Sequence, residues 1–271
     1  MDQGFALPGS RRLGCLLVHG FTATPLEMRP LADALAADGF PVRAVRLAGH
    51  ATAVTDLART GWRDWLTSVD EGLSMLAEDV PHVAVAGMSL GALLALHLAA
   101  TRPDAVSALV LCGTPLRLGD GRVRWLPALA RIPWVARRWA TIPKSNGVDI
   151  GDAAARATSE RYSVMPLPAL LELLRLQGLV RGELGRVTQP ALLLHGRHDR
   201  SAPVANVDLL RAGLASRRID VHVLERSGHV VTLDYDRDEV GRLAAAFLDD
   251  VERALTGPGS SARAPAGSGG R

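Results

Sequence analysis

The sequence predicts an α/β fold, a mostly parallel sheet with helices on both faces and a small helical cap inserted into it. Two patterns predict it. Short apolar runs alternate with segments of helical periodicity along most of the 271 residues, and a serine flanked by glycines stands between one such run and one such segment. The length suits one α/β domain better than two small ones.

Six short apolar runs, spaced as in repeated strand–helix–strand units, predict the strands of the sheet. They are Gly14–Val18, Pro41–Leu47, His82–Ala86, Ser107–Cys112, Ala191–His195 and Ile219–Leu224. Segments with apolar residues three and four positions apart predict the helices. They are Leu26–Asp38, Gly61–Asp79, Leu90–Thr101, Leu167–Leu179, Val204–Ala215 and Asp238–Leu255.

The pattern divides the chain into a domain, an insertion and two end segments. We expect residues 1–12 to be an N-terminal extension and residues 13–256 to form the domain. The strand–helix alternation is interrupted over residues 114–183, which predicts a cap lying over the sheet. The tail, residues 257–271, is rich in Gly, Ser, Ala and Pro, a composition typical of disorder.

Charge and composition restrict the class of protein. The pI of about 9.4 looks basic, but the two end segments account for the formal net charge of +3. The pI therefore gives little support to nucleic-acid binding by the body, and we expect no nucleic-acid partner. Cys15 and Cys112 lie in apolar strands, which predicts buried, reduced thiols. We find no signal peptide and no apolar run near the roughly 18 residues of a membrane span, so we expect a cytoplasmic protein without a transmembrane segment.

The strongest functional signal is the pentapeptide Gly87-Met88-Ser89-Leu90-Gly91. A tight turn from a strand into a helix strains the serine backbone and raises its hydroxyl above the carboxyl end of the sheet. The flanking glycines let the strand and the helix approach each other without a side-chain clash. The pattern therefore predicts that Ser89 is a nucleophile.

A serine nucleophile needs a base and an acid that orients it, both at the same edge of the sheet. His229 follows the strand Ile219–Leu224, and Asp199 follows Ala191–His195. The order Ser89, Asp199, His229 is the chain order expected on such a sheet. The other histidines and acids fit worse, because they lie within helices or strands or before the nucleophile. We expect His19 to brace a loop, and His195 and His198 to be structural or to lie at the rim.

Acyl transfer also needs donors for the oxyanion of the tetrahedral intermediate. The backbone N–H of Leu90 opens a helix directly after Ser89, and that of Phe21 follows the strand Gly14–Val18. Both are predicted to form the oxyanion hole. The Phe21 side chain can line the pocket as well.

These motifs resemble the α/β-hydrolase superfamily, and within it the small bacterial carboxylesterases and monoacylglycerol lipases. The resemblance rests on five segments of the domain. They are His19-Gly20-Phe21-Thr22, Met28-Arg29-Pro30-Leu31, Gly49-His50 before Trp62–Trp65, Gly87–Gly91, and Ser227-Gly228-His229-Val230-Val231-Thr232-Leu233-Asp234. One departure is Ala51, where relatives often carry glycine.

The resemblance implies ester hydrolysis through an acyl-enzyme on Ser89, with no metal or cofactor. The partner would be a small-molecule ester, a lipid included. Two alternatives stay open. The same triad can cleave thioesters, amides or carbon–carbon bonds, and the fold can serve as a non-catalytic ligand-binding module.

The segment Arg122–Lys144 combines six basic residues with tryptophans and prolines. One interpretation is a solvated cationic face over a tryptophan-lined pocket. The other is a cap surface that makes peripheral contact with anionic membranes. The sequence makes no prediction of an oligomeric state.

Overall fold

A sheet of seven strands organises the described part of the protein. The computed structural model describes residues 4–129, 140–143 and 147–257. The described strands are β1 Phe5–Leu7, β2 Leu13–Val18, β3 Val42–Val45, β4 His82–Met88, β5 Ala108–Cys112, β6 Thr141–Pro143, β7 Val164–Pro166, β8 Ala191–Gly196 and β9 Ile219–Leu224. The large sheet has the order β1-β3-β2-β4-β5-β8-β9, and β6 and β7 form a separate two-stranded antiparallel sheet. All pairings in the large sheet are parallel except that of β1 with β3, which confirms the predicted fold.

All six predicted helices are present, with ends that differ by up to a few residues, and the described residues form three short helices outside the predicted segments. The described helices are α1 Arg29–Ala37, α2 Val54–Leu57, α3 Trp62–Ala77, α4 Leu90–Thr101, α5 Leu126–Leu129, α6 Ala153–Thr158, α7 Leu167–Glu183, α8 Asn206–Gly213 and α9 Arg237–Thr256. The predicted helix Leu26–Asp38 is split into a 3-10 turn, Pro25–Met28, and α1. Among the described residues, no helix combines the length and the apolar character needed to cross a membrane.

Two apolar clusters cover the two faces of the sheet. Alternate residues of β2 point to opposite clusters, Leu16 into one and Cys15 into the other. Helices α3, α4, α7 and α8 pack on the first face, and α1 and α9 on the second. The strands β2, β4, β5 and β8 are buried on both faces almost throughout, which is why they are continuous apolar runs rather than alternating ones.

Two findings refine the predicted organisation. The sequence analysis predicted no strand within residues 1–12, yet Phe5–Leu7 pairs with Val42–Val45 at the edge of the sheet. A three-residue strand bounded by glycine and proline is too short to show a period. Helix α7, at the end of the predicted cap, packs in the same cluster as α3 and α4. The division into extension, domain, cap and tail stays a prediction.

Two predicted features lie partly outside the described residues. The tail does so from residue 258 onward, and the basic segment Arg122–Lys144 does so at positions 130–139 and 144.

Cys15 and Cys112 are free and fully buried, as expected, and burial raises the pKa of each thiol to about 12. Neither thiol is therefore ionised near neutral pH.

Candidate active site

Ser89 occupies the turn between β4 and α4 in a strained conformation. Its φ is 54° and its ψ −110°, a backbone conformation that is costly for a residue with a Cβ. A Cβ on Gly87 would come within 2.3 Å of the Gly91 backbone, and a Cβ on Gly91 within 2.0 Å of the Val18 carbonyl oxygen. The two glycines therefore permit the close approach of strand and helix that aims the serine hydroxyl out of the sheet.

The structure brings Ser89, His229 and Asp199 together in one hydrogen-bonded chain. His229 Nε2 lies 2.9 Å from Ser89 Oγ, and its Nδ1 lies 2.7 Å from Asp199 Oδ2. The three residues follow β4, β9 and β8, whose carboxyl ends share one edge of the sheet. The geometry lets Nδ1–H donate to the carboxylate while Nε2 accepts from the hydroxyl.

Asp199 is held as a buried carboxylate. Its Oδ1 accepts hydrogen bonds from the backbone N–H groups of Ser201, at 2.9 Å, and Ala202, at 2.7 Å. Burial by itself would raise the pKa of Asp199, but the charge of protonated His229 and hydrogen bonds from His195, His229 and Ala202 outweigh it. The net pKa lies well below the ordinary range, so the group stays ionised beside the imidazole.

His229 is largely buried, and its surroundings favour the protonated form. Burial alone would lower its pKa, but the charge and hydrogen bond of Asp199, with the charges of Asp149 and Glu27, raise it above the ordinary value. An imidazole with a raised pKa accepts a proton from a hydroxyl more readily. This imidazole can serve as a proton acceptor for Ser89.

Two further histidines brace the site. His195 Nε2 lies 2.7 Å from the Ala202 carbonyl oxygen and 3.1 Å from Asp199 Oδ2, so His195 contacts the Asp199 carboxylate directly. His19, expected to brace a loop, donates from Nδ1 to the Gly20 carbonyl and accepts at Nε2 from the Leu47 N–H. It thereby ties the loop after β2 to the end of β3.

The two predicted oxyanion donors come from the start of α4 and from the loop after β2. Leu90 is the first residue of α4, and Phe21 lines the same cavity as Ser89. Within the described part of the chain, neither N–H donates a hydrogen bond. The loop that carries Phe21 is anchored by buried Glu27, whose Oε2 accepts from Gly20 N–H at 2.6 Å and whose Oε1 lies 2.5 Å from Arg161 Nη2.

A cavity of about 290 Å³ opens beside Ser89 and His229. Its wall is mostly apolar and comes from the loop after β2, the insertion and α7. The apolar lining residues are Phe21, Leu118, Val123, Leu126, Ile142, Pro143, Val148, Met165, Leu170, Leu173 and Val230. Among the described residues, no cluster of three or more His, Cys, Asp or Glu side chains is arranged to hold a metal ion.

Comparison with known proteins supports the same architecture. The family described as serine aminopeptidase, S33, matches residues 9–236, which is most of the chain. The chain belongs to this family. It is also 35% identical over 237 residues to a thermostable monoacylglycerol lipase from Bacillus sp. strain H-257, covering 87% of this chain and 90% of that protein.

Two other similarities span nearly the whole chain. A carboxylesterase from Bacillus subtilis strain 168 is 26% identical over 88% of this chain and 92% of its own length. A solved structure from work on LipS and LipT, two metagenome-derived lipolytic enzymes, aligns with a TM-score of 0.84 and 28% identity, over 92% of this chain and 98% of that one. The α/β-hydrolase resemblance drawn from the motifs is thus confirmed.

The site of this protein also contains residues to which the sequence analysis gave no role. Asp149 and Arg161 come from the insertion, where no periodic pattern marks them. Glu27 lies in the 3-10 turn Pro25–Met28, inside a segment predicted to be an ordinary amphipathic helix. In the sequence, Asp234 is only the last residue of the motif around His229, and nothing there indicates its role.

Proposed function

We propose that this protein is a serine hydrolase that cleaves carboxylic esters, a carboxylesterase or monoacylglycerol lipase. In this proposal Ser89 is the nucleophile, His229 the general base and Asp199 the acid that orients it. The observation that carries the proposal is the unbroken chain of short hydrogen bonds from Ser89 through His229 to Asp199 beside an apolar cavity. The similarity to a monoacylglycerol lipase and a carboxylesterase supports it.

Acylation begins when His229 Nε2 takes the proton of the Ser89 hydroxyl as its oxygen attacks the ester carbonyl carbon. The carbonyl oxygen becomes an oxyanion, which the N–H groups of Phe21 and Leu90 hold. His229 then gives its proton to the leaving alkoxide, and the carbon–oxygen bond of the ester breaks. The alcohol departs, and the acyl group remains on Ser89.

Deacylation repeats these steps with water. His229 takes a proton from a water molecule, whose oxygen attacks the acyl carbonyl and forms a second oxyanion in the same hole. Collapse of this intermediate breaks the bond to Ser89, which regains its proton from His229. Throughout both steps Asp199 stays ionised and stabilises the imidazolium, because its pKa is far below that of the base.

The substrate class follows from the cavity. Its apolar wall suits the acyl chain of an ester, and its size is at the lower end of small-molecule sites. A small-molecule ester, lipid esters included, is the substrate we propose. The name of the family, serine aminopeptidase, favours one alternative among the bonds that this triad can cleave, which is the amide.

The test is hydrolysis of p-nitrophenyl esters from acetate to palmitate, of mono-, di- and triacylglycerols, and of aminoacyl p-nitroanilides. Ser89→Ala should lower kcat/KM for the preferred ester by about 10⁶-fold and abolish labelling by a fluorophosphonate. The matched control is Ser74→Ala on the exposed face of α3. Faster turnover of the anilides than of the esters would favour the amidase, and no labelling of the wild-type protein would favour a binding module.

We further propose a cytoplasmic location, with which two free, buried cysteines are compatible. Membrane contact through Arg122–Lys144 also stays a proposal, since much of that segment lies outside the described residues. Binding to anionic vesicles should fall when Arg137 and Arg138 are both changed to Glu. Unchanged binding, or none in the wild type, would contradict it.

A further inference from the structure

Asp149, in the insertion, is bonded to the loop that carries Asp199. The side chain is 9% exposed. Its Oδ2 accepts from the N–H groups of Arg200 at 2.8 Å and Ser201 at 3.1 Å, and from the Ser201 hydroxyl at 3.1 Å. Its Oδ1 lies 3.2 Å from Arg200 Nε. One carboxylate thus holds the two residues directly after Asp199.

The same residue is bonded through its main chain to the loop that carries His229. The Asp149 carbonyl oxygen accepts from the N–H groups of His229, at 3.0 Å, and Val230, at 3.2 Å. The loop of His229 also lies close to the Asp149 side chain, because a Cβ on Gly228 would come within 2.9 Å of its Oδ1. Asp149 therefore bridges the loop of Asp199 and the loop of His229. In the first loop it bonds the residues that follow Asp199, and in the second it bonds His229 itself and the next residue.

An independent contact fixes the segment that follows Asp149. Asp234, fully buried, accepts from the N–H groups of Gly151, Asp152 and Gly228, each at 2.8 Å. These bonds attach the main chain of the insertion to the histidine loop without any part of the Asp149 side chain. The position of the Asp149 main chain therefore does not depend on its own carboxylate, so a change confined to that carboxylate leaves the attachment in place.

Charge is the second contribution of Asp149. Three carboxylates act on His229: Asp199 from the loop after β8, Asp149 from the insertion, and Glu27 from the turn before α1. Arg161 pairs with Glu27, and Arg200, whose side chain is 59% exposed, pairs with Asp149. The carboxylate of Asp149 contributes to the raised pKa of His229.

We propose that Asp149 is a positioning residue of the hydrolytic site, one that holds the acid loop and the base loop in register and supplies negative potential at the imidazole. The proposal rests on the proposed function, because it assigns His229 and Asp199 the roles given there. It also makes the insertion a part of the catalytic scaffold, in addition to a wall of the cavity.

The test is Asp149→Asn, which keeps the shape of the side chain and removes its charge and half of its acceptors. We expect kcat for the preferred ester to fall roughly 10- to 100-fold, as for small displacements of catalytic groups, with KM nearly unchanged. We also expect the titration of the His229 imidazole, followed by NMR, to move to lower pH. That titration needs no turnover, so it tests Asp149 even if the proposed ester hydrolysis fails, which the Ser89→Ala comparison decides separately.

Asp152→Asn is the matched control. Asp152 lies in the same segment, but its carboxylate pairs with Arg237 and caps α6. This variant should leave both kcat and the His229 titration unchanged. Equal losses of kcat in both variants, or Asp149→Asn with wild-type kcat and an unmoved titration, would overturn the proposal.

Arg200→Gln provides a second variant if Asp149→Asn does not fold. It keeps the main-chain bond to Asp149 and removes the cation that neutralises the carboxylate. The His229 titration should then move to higher pH, opposite to the effect of Asp149→Asn. A shift to lower pH, or none, contradicts the electrostatic role of Asp149.

Discussion

The ion pair of Glu27 and Arg161 offers the sharpest test of how the site is held together. Their side chains are 3% and 10% exposed, and Glu27 also accepts from the Gly20 N–H in the loop of the proposed oxyanion hole. Glu27→Gln preserves the shape but leaves the guanidinium buried without its anion. Breaking such a pair costs about 3–5 kcal/mol, a large part of the roughly 5–15 kcal/mol that stabilises a typical domain.

The assay is equilibrium unfolding in urea of the wild type, Glu27→Gln, Arg161→Gln and the double variant. Because the double variant removes both charges, we expect it to lose less stability than the two single variants together, with a coupling energy of about 2 kcal/mol or more. The control is Asp33→Asn at the exposed Arg29–Asp33 pair, which should cost at most about 0.5 kcal/mol. A loss below about 1 kcal/mol for Glu27→Gln, or strictly additive losses, would refute the reasoning.

Two further predictions concern the base and the backbone. Because the pKa of His229 is raised and the base of the proposed mechanism must be neutral, kcat/KM should fall with decreasing pH through a value above the ordinary histidine pKa of about 6.5. Asp199→Asn should lower that value and reduce kcat about 10⁴-fold. An acid limb below the ordinary value in the wild type would contradict this prediction. Ala51 has a φ of 55°, a conformation that glycine adopts without strain. Ala51→Gly should therefore raise the free energy of unfolding by about 0.5 kcal/mol, because the strain it relieves exceeds the conformational entropy that glycine adds to the unfolded chain. The control is Ala37→Gly at the exposed end of α1, which should destabilise the protein by about 0.5–1 kcal/mol. Thermal melts measure both variants, and a lower melting temperature for Ala51→Gly than for Ala37→Gly would show that the φ of Ala51 carries no strain.

Much of the fold could be predicted from local pattern. Helix α4 begins and ends at the predicted residues because its apolar run is continuous and stops just before Pro103. The bounds of β9 were also predicted, because its apolar residues alternate with Asp220 and His222 at the period of a strand. The proximity of Ser89, Asp199 and His229 could also be predicted, since the carboxyl ends of parallel strands meet at one edge. β1 could not be predicted, because its three residues gain their order only by pairing with β3.

The sequence by itself determined the six long helices and the six main strands of the sheet, where the serine turn lies, and in what order Asp199 and His229 follow it along the chain. Hydrophobic period and glycine placement are local properties, so they can be recognised before the chain is folded. Only the tertiary structure decided that Asp149 bonds both loops and that Glu27 and Arg161 pair within the interior. A buried carboxylate is stable only where distant N–H groups and cations converge on it, and that convergence exists only once the chain is folded.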